Sequence, residues 1–226
     1  MSENTESQTQ DTSSSSSNEI NLNGLFAFKV GMSTVYENGE AIPVTLLKYD
    51  NWNVSQIKTK EKDGYTAVQL ASGTKKAKNT GKAEKERLKG AKFENGALFT
   101  KELRQDIPDG ITLGQKVALA SLVKGDVVSL TARSKGKGFQ GVIKRHGHHG
   151  GPGAHGSKFH RQPGSMGCRT WPGRVKPGRK LPGHMGDRNI TLKNVQIVDV
   201  IPSENVLMVK GPVPGAYQSL VKVVKE

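Results

Sequence analysis

The chain has 226 residues, 34% of them hydrophobic, and carries 34 Lys and Arg against 20 Asp and Glu, a formal net charge of +14 with a pI near 9.9. That length holds one modest domain plus appended pieces, and the charge points to nucleic acid or an anionic membrane surface as partner. No apolar run approaches the roughly 20 residues of a transmembrane helix, and a lone cysteine, Cys168, excludes an intramolecular disulfide and suits a reducing cytoplasm.

Residues 1–22 begin MSENTESQTQDTSSSSSNEI, a run of Ser, Thr, Gln and acid that is expected to be a disordered tail. It has neither the basic and hydrophobic regions of a secretory signal nor the Arg of a mitochondrial presequence. From residue 23 the texture turns to short strands. Residues 25–30 and 33–36 are apolar runs, and Glu37-Asn38-Gly39 is a hairpin signal leading into residues 41–47. Residues 53–59 and 65–71 flank Asp63-Gly64, a second signal of the same kind.

Residues 72–106 form a Lys-rich, Gly-punctuated insertion, expected to hold short helices near 83–88 and 98–104. Its charge suits either a solvated face or a further RNA-facing patch. Strand texture returns at 117–123 and 127–132, and again at 195–201, 206–210 and 217–224, with Pro202-Ser203-Glu204-Asn205 as a turn. Seven to nine short strands split by one long excursion predict a mainly β fold. Its expected form is a small, closed or nearly closed β-barrel built from residues 23–132 and 189–226.

The excursion, residues 133–188, holds 13 of the 34 Lys and Arg, all six His, 14 of the 27 Gly and five of the ten Pro, against a single acid, Asp187. Its balance is therefore +12, leaving +2 for the remainder of the chain. The few apolar residues follow no helical or strand period, and Gly and Pro break any long element. A loop of this length in a compact domain is functional or disordered. Cations that neutralise phosphates, glycines that admit close backbone approach and scattered aromatics suit a segment organised by a polyanion, RNA above all.

Other chemistries find less support. Gly136-Lys137-Gly138-Phe139-Gln140-Gly141 matches G-x-G-x-x-G after a predicted strand. A dinucleotide site would open a helix there and place an acid about twenty residues on. Residues 142–147 are expected to open no helix, and residues 157–161 hold no acid. A kinase loop fails because no H-R-D or D-F-G follows. His146, His148, His149, His155 and His160 raise a metal reading, opposed by the shortage of Cys and carboxylate and by the surrounding cations. Phe139, Phe159 and Trp171 are either a packing centre or base-stacking platforms. With no paired carboxylates, Ser-His-Asp set or Walker loop in this segment, no catalytic residue, metal or cofactor is expected.

Several ordered motifs carry a family likeness. They are Gly24-Leu25 through Lys29-Val30-Gly31-Met32-Ser33, Ser134-Lys135-Gly136-Lys137-Gly138-Phe139-Gln140-Gly141 with Arg145, and His155-Gly156-Ser157 to His160-Arg161. Pro163-Gly164-Ser165-Met166-Gly167, Pro182-Gly183-His184-Met185-Gly186 and Val209-Lys210-Gly211-Pro212-Val213-Pro214-Gly215 complete the set. Together, over residues 23 to the end, they resemble the universal third protein of the large ribosomal subunit in its short bacterial form.

The resemblance implies a translation-protein-type β-barrel with a long internal extension that reaches through 23S rRNA toward the peptidyl-transferase centre. It also implies early assembly, neighbouring large-subunit proteins as partners, a cytoplasmic location, and neither membrane nor small-molecule substrate. The residues expected to meet rRNA are Lys135, Gly136, Lys137, Gly138, Gly141, Lys144, Arg145, His155, Lys158, His160, Arg161, Arg169, Trp171, Arg174, Lys176, Arg179, Lys180 and Arg188. Three features depart from the family pattern: the acidic tail, Ser129 in place of the usual Asp or Asn, and Cys168-Arg169-Thr170-Trp171 where some members carry a methylated glutamine. The rival from the residues alone is a non-ribosomal RNA-binding chaperone or assembly factor.

Overall fold

The computed structural model describes residues 19–108, 110–118 and 122–225. The expected tail thus falls mostly outside the described residues, as does the middle of the strand expected at 117–123. The tail's expected boundary at residue 22 is too late. Glu19–Ile20 is a strand, β1, and Leu22 is buried in the core.

Two long strands follow, β2 (Gly24–Glu37) and β3 (Glu40–Tyr49), paired antiparallel down to Glu37 opposite Glu40. Asn38 and Gly39 make the turn between them with φ of 52° and 83°, the double left-handed geometry that an Asn-Gly hairpin supplies. The two apolar runs expected as separate strands are one, because both pair with β3 across a register shift between Lys29 and Gly31 that leaves Val30 bulged. β4 (Asn53–Lys58), a one-turn helix α1 (Lys60–Asp63) and β5 (Ala67–Thr74) come next, with Gly64 ending the helix in the left-handed region.

The insertion contains a 3-10 turn at Ala77–Asn79, the helix α2 (Lys82–Lys89) and the strand β6 (Ala97–Leu103). The helix expected at 98–104 is therefore a strand. Its Leu, Lys and Glu favour helix locally, but six residues pair with β5 from Thr74 to Val68, and that pairing decides the conformation. Leu88 pins α2 into a small cluster with Ala71, Ala91, Phe93 and Ala97.

β7 (Lys116–Val117) and β8 (Val127–Arg133) precede the basic segment, which contains β9 (Phe139–Gln140), α3 (Val142–His146) and β10 (Gly183–His184). β11 (Asn189–Ile201), β12 (Val206–Lys210) and β13 (Leu220–Lys225) finish the chain, the first two joined by a 3-10 turn at Pro202–Glu204.

Six strands hydrogen-bond in a ring, β11-β12-β3-β2-β13-β8, every pair antiparallel. A ring leaves no strand edge to aggregate. Bulges in β2 and β11 supply the bends that closure needs. Val128, Leu130 and Ala132 alternate inward on β8, as do Val221 and Val223 on β13.

Beside the ring lies a five-stranded sheet, β1-β7-β4-β5-β6. One apolar cluster runs through both, joining Leu25, Leu47, Leu130 and Ile197 to Trp52, Val54, Leu70 and Leu103. Each such fully buried side chain stabilises the fold by about 1.5–3 kcal/mol relative to its exposed state. The Tyr49 hydroxyl, on β3, donates to the Val117 carbonyl on β7 and so ties ring to sheet. Burial first, and the Glu19 charge second, push its pKa well above the usual phenolic value.

Candidate nucleic-acid interface

The basic segment leaves the ring as a continuation of its β8–β11 pair. Arg133 stands opposite Asn189 as the last rung, and the Ser134 amide then donates to the Arg188 carbonyl at 2.9 Å. Lys137 and Met185 extend the ladder, with Lys137 N–H to Met185 O and Met185 N–H to Gly138 O both 2.9 Å. β9 pairs antiparallel with β10, Phe139 opposite His184 and Gln140 opposite Gly183. The two arms thus form a narrow stem.

Close approach of the arms is set by Gly186, where a Cβ would lie 2.1 Å from the Lys135 carbonyl oxygen. Arg133 clamps the base of the stem, its Nε and Nη2 reaching the two oxygens of Asp187 at 2.5 and 2.8 Å. This is the segment's only acid, so among the described residues its other twelve Lys and Arg have no carboxylate partner.

α3 corrects the expectation that no helix follows the glycine motif. It forms because its last turn is fastened from outside: Arg145 Nη1 donates to the Leu181 carbonyl at 2.7 Å, and a His146 ring nitrogen lies 3.1 Å from the same oxygen. At five residues, with no side chain capping its start and no acid in residues 157–161, it still lacks the parts of a dinucleotide site. Among the described residues there is no group of three or more His, Cys, Asp or Glu placed to hold a metal ion, and no helix long and apolar enough to cross a membrane.

The expected contact residues fall into three sets. Lys135, Lys137, Arg145 and Arg188 line one groove between the stem and the loop around Val213–Gly215. Trp171, Arg174, Lys176 and Arg179 line a second hollow with Met166 and Cys168. Lys144, His155, Lys158, His160, Arg161, Arg169 and Lys180 are exposed and belong to neither. Gly138 and Gly141 have open space where a side chain would stand, while Gly136 faces Asp187.

All the expected side chains are exposed save Arg145, half-buried and engaged with Leu181. Arg179 also spends a donor within the protein, on the Ser165 carbonyl. Trp171 is 82% and Phe139 75% exposed, so neither is a packing centre, whereas Phe159 lies against Gly151 and Gly164.

One cation that sequence reasoning missed is Lys29. It sits half-buried on β2, donates to the Val213 carbonyl at 2.6 Å and lines the stem groove. Burial, and secondarily the charge of Lys135, hold its pKa below the usual lysine value. In the sequence it shows as a lysine within the apolar run 25–30, in the first of the family motifs.

A closed β ring beside a small sheet, with one stem-borne segment whose cations, Arg133 apart, have no carboxylate partner among the described residues, defines a strongly basic, mainly β protein. The family model described as Ribosomal protein L3 matches residues 60–206. The chain is 61% identical, over the full length of both, to the large ribosomal subunit protein uL3 of Bdellovibrio bacteriovorus. It is 46% identical to that of Desulfotalea psychrophila, with 88% of this chain and 96% of the relative covered, and 47% identical to that of Bacillus mycoides, with 88% and 95% covered. The chain belongs to the ribosomal protein L3 family.

Proposed function

We propose that the chain is a structural constituent of the large ribosomal subunit in the cytoplasm, and that it binds 23S rRNA directly through residues 133–188. The observation that carries this reading is the set of twelve Lys and Arg that, among the described residues, have no carboxylate partner, held on a stem hydrogen-bonded as a continuation of the ring. Such an array repels itself in the free protein and is neutralised by phosphates, releasing the counterions condensed on the RNA. The distal part of the segment is tied by few backbone bonds, among them Gly151 N–H to His160 O and Gln162 N–H to Phe159 O. It therefore threads between RNA helices more readily than a packed domain does, in keeping with an extension directed toward the peptidyl-transferase centre and engaged early in assembly. Other large-subunit proteins are its expected neighbours, and the chemistry of peptide-bond formation stays with the RNA.

The test is the affinity of the purified full chain for 23S rRNA across a salt series. Engagement of roughly six to ten phosphates lowers affinity by about 10³–10⁵ between 50 and 200 mM salt. Equal affinity for unrelated RNAs would make the chain a general RNA chaperone instead, and an affinity independent of salt would remove phosphate contact altogether.

A further inference from the structure

The groove between the stem and the ring contains more than the arm residues that the rRNA reading uses. Its walls carry Lys29 from β2, Lys135 and Lys137 from the outgoing arm, Arg145 from α3 and Arg188 from the returning arm. His146 and His184 add two imidazoles, and among the described residues no carboxylate lines it. Asp187 is next along the chain from Arg188 but is engaged by Arg133. Five cations from four separate elements thus converge where, among the described residues, no acid answers them.

The walls are held by bonds within the protein itself. The arms are locked by the Ser134, Lys137 and Met185 bonds and by the close fit at Gly186, and Arg145 is held by the Leu181 carbonyl. On the opposite wall Lys29 is held by the Val213 carbonyl at 2.6 Å, with the Gly215 carbonyl at 3.5 Å. An ammonium has three donors, so at least one N–H of Lys29 stays available to the groove. A half-buried ammonium beside further cations is costly without an anion, and fixed donors bind an oxyanion with little reorganisation.

We propose that this groove is a clamp for an RNA phosphodiester, bonded on one side by Lys29 of the ring and on the other by Lys135 and Arg188 of the stem. The inference rests on the rRNA reading and extends the footprint from the arm to the ring. A phosphate bridging the two walls fixes the direction in which the stem leaves the ring, so binding at the base orients the arm for its distal contacts.

The test uses the full chain with 23S rRNA, Lys29→Met, the exposed pair Lys135→Gln/Arg188→Gln, and the distal pair Lys176→Gln/Arg179→Gln as comparison. Loss of one phosphate contact lowers the salt slope by about 0.7–0.9. The expected result is a reduction of that order for Lys29→Met and for the Lys135/Arg188 pair. In the wild-type complex, Lys29 is also expected to be protected from amine acetylation. Should Lys29→Met weaken the fold, the Lys135/Arg188 pair and the wild-type protection still decide.

RNA binding by the wild type with an unchanged slope in the Lys135/Arg188 pair and an unprotected Lys29 overturns the clamp while leaving the rRNA reading intact. Absence of salt-dependent RNA binding by the wild type overturns both. Inorganic phosphate alone at millimolar concentration is the control for source. If it protects Lys29 as fully as RNA does, the site takes free phosphate and the phosphodiester assignment fails.

Discussion

Replacement of Gly186 by Ala tests whether the stem is the rigid base of the interface. Gly186 has φ of 77°, and a Cβ there would stand 2.1 Å from the Lys135 carbonyl oxygen and 3.2 Å from the Gly136 Cα. The left-handed backbone costs an L residue about 1–2 kcal/mol. Carbon and carbonyl oxygen rest at about 3.3 Å, so the facing arm must move by roughly 1 Å, and backbone shifts forced by overpacking cost about 1–3 kcal/mol. The sum, about 2–5 kcal/mol, falls on the cross-arm bonds. At about 1.4 kcal/mol per decade, hydrogen exchange of the Lys137 and Met185 amides is expected to accelerate roughly 30- to 3,000-fold, with ring amides such as Val221 unchanged. Gly138→Ala is the control, because its φ of 65° carries the left-handed cost while nothing lies within 4 Å of its Cβ. Its expected acceleration is roughly 5- to 30-fold. Equal effects in the two variants, or unaltered exchange at Lys137 and Met185 in Gly186→Ala, would refute the argument that the arms clasp at this glycine.

Three further outcomes concern the fold that carries the stem. Tyr49→Phe removes the hydroxyl that reaches the Val117 carbonyl and is expected to cost about 1–3 kcal/mol in urea unfolding. Because the folded Tyr49 pKa is raised, its contribution is complete below the ordinary phenolic pKa of about 10 and is lost as pH rises beyond it, a slope that Tyr49→Phe should flatten. The hydrogen bond from Lys58 holds the Glu102 carboxyl below the usual range. That contribution is complete above the ordinary carboxylate pKa and is lost as pH falls through the depressed value, so Glu102→Gln should reduce the fall in urea midpoint on acidification. Leu88→Ala opens the small cluster under α2 and is expected to cost about 2–5 kcal/mol locally. It should appear as faster amide exchange in α2 with the ring unaffected, and an unaltered helix would contradict its anchoring by Leu88.

The parts of the fold readable from sequence are those set by adjacent residues. Asn38-Gly39 marks its hairpin because Asn and Gly both tolerate the left-handed region that two successive positions of the turn require, and Val206–Lys210 alternates as a strand with one face buried. What escaped depends on partners distant in the chain. Ala97–Leu103 is strand because β5 pairs with it, and Val142–His146 is helix because the Leu181 carbonyl fastens its last turn. The basic segment is plain from composition, and the glycine motif lies on the stem. The division of labour within it is not: Arg133 is paired with Asp187 and Arg145 spends one donor on the Leu181 carbonyl, while Lys29 enters from a strand more than a hundred residues earlier. Charge counts name the candidates, and only the folded geometry says which remain unpaired.

The most direct test of the central claim is sedimentation of a native lysate on a sucrose gradient after a high-salt wash, with this chain quantified across the fractions. Stoichiometric recovery with the large subunit and with whole ribosomes is the result expected of an integral component. A free pool released by modest salt would contradict it and make the chain a transient RNA-binding factor.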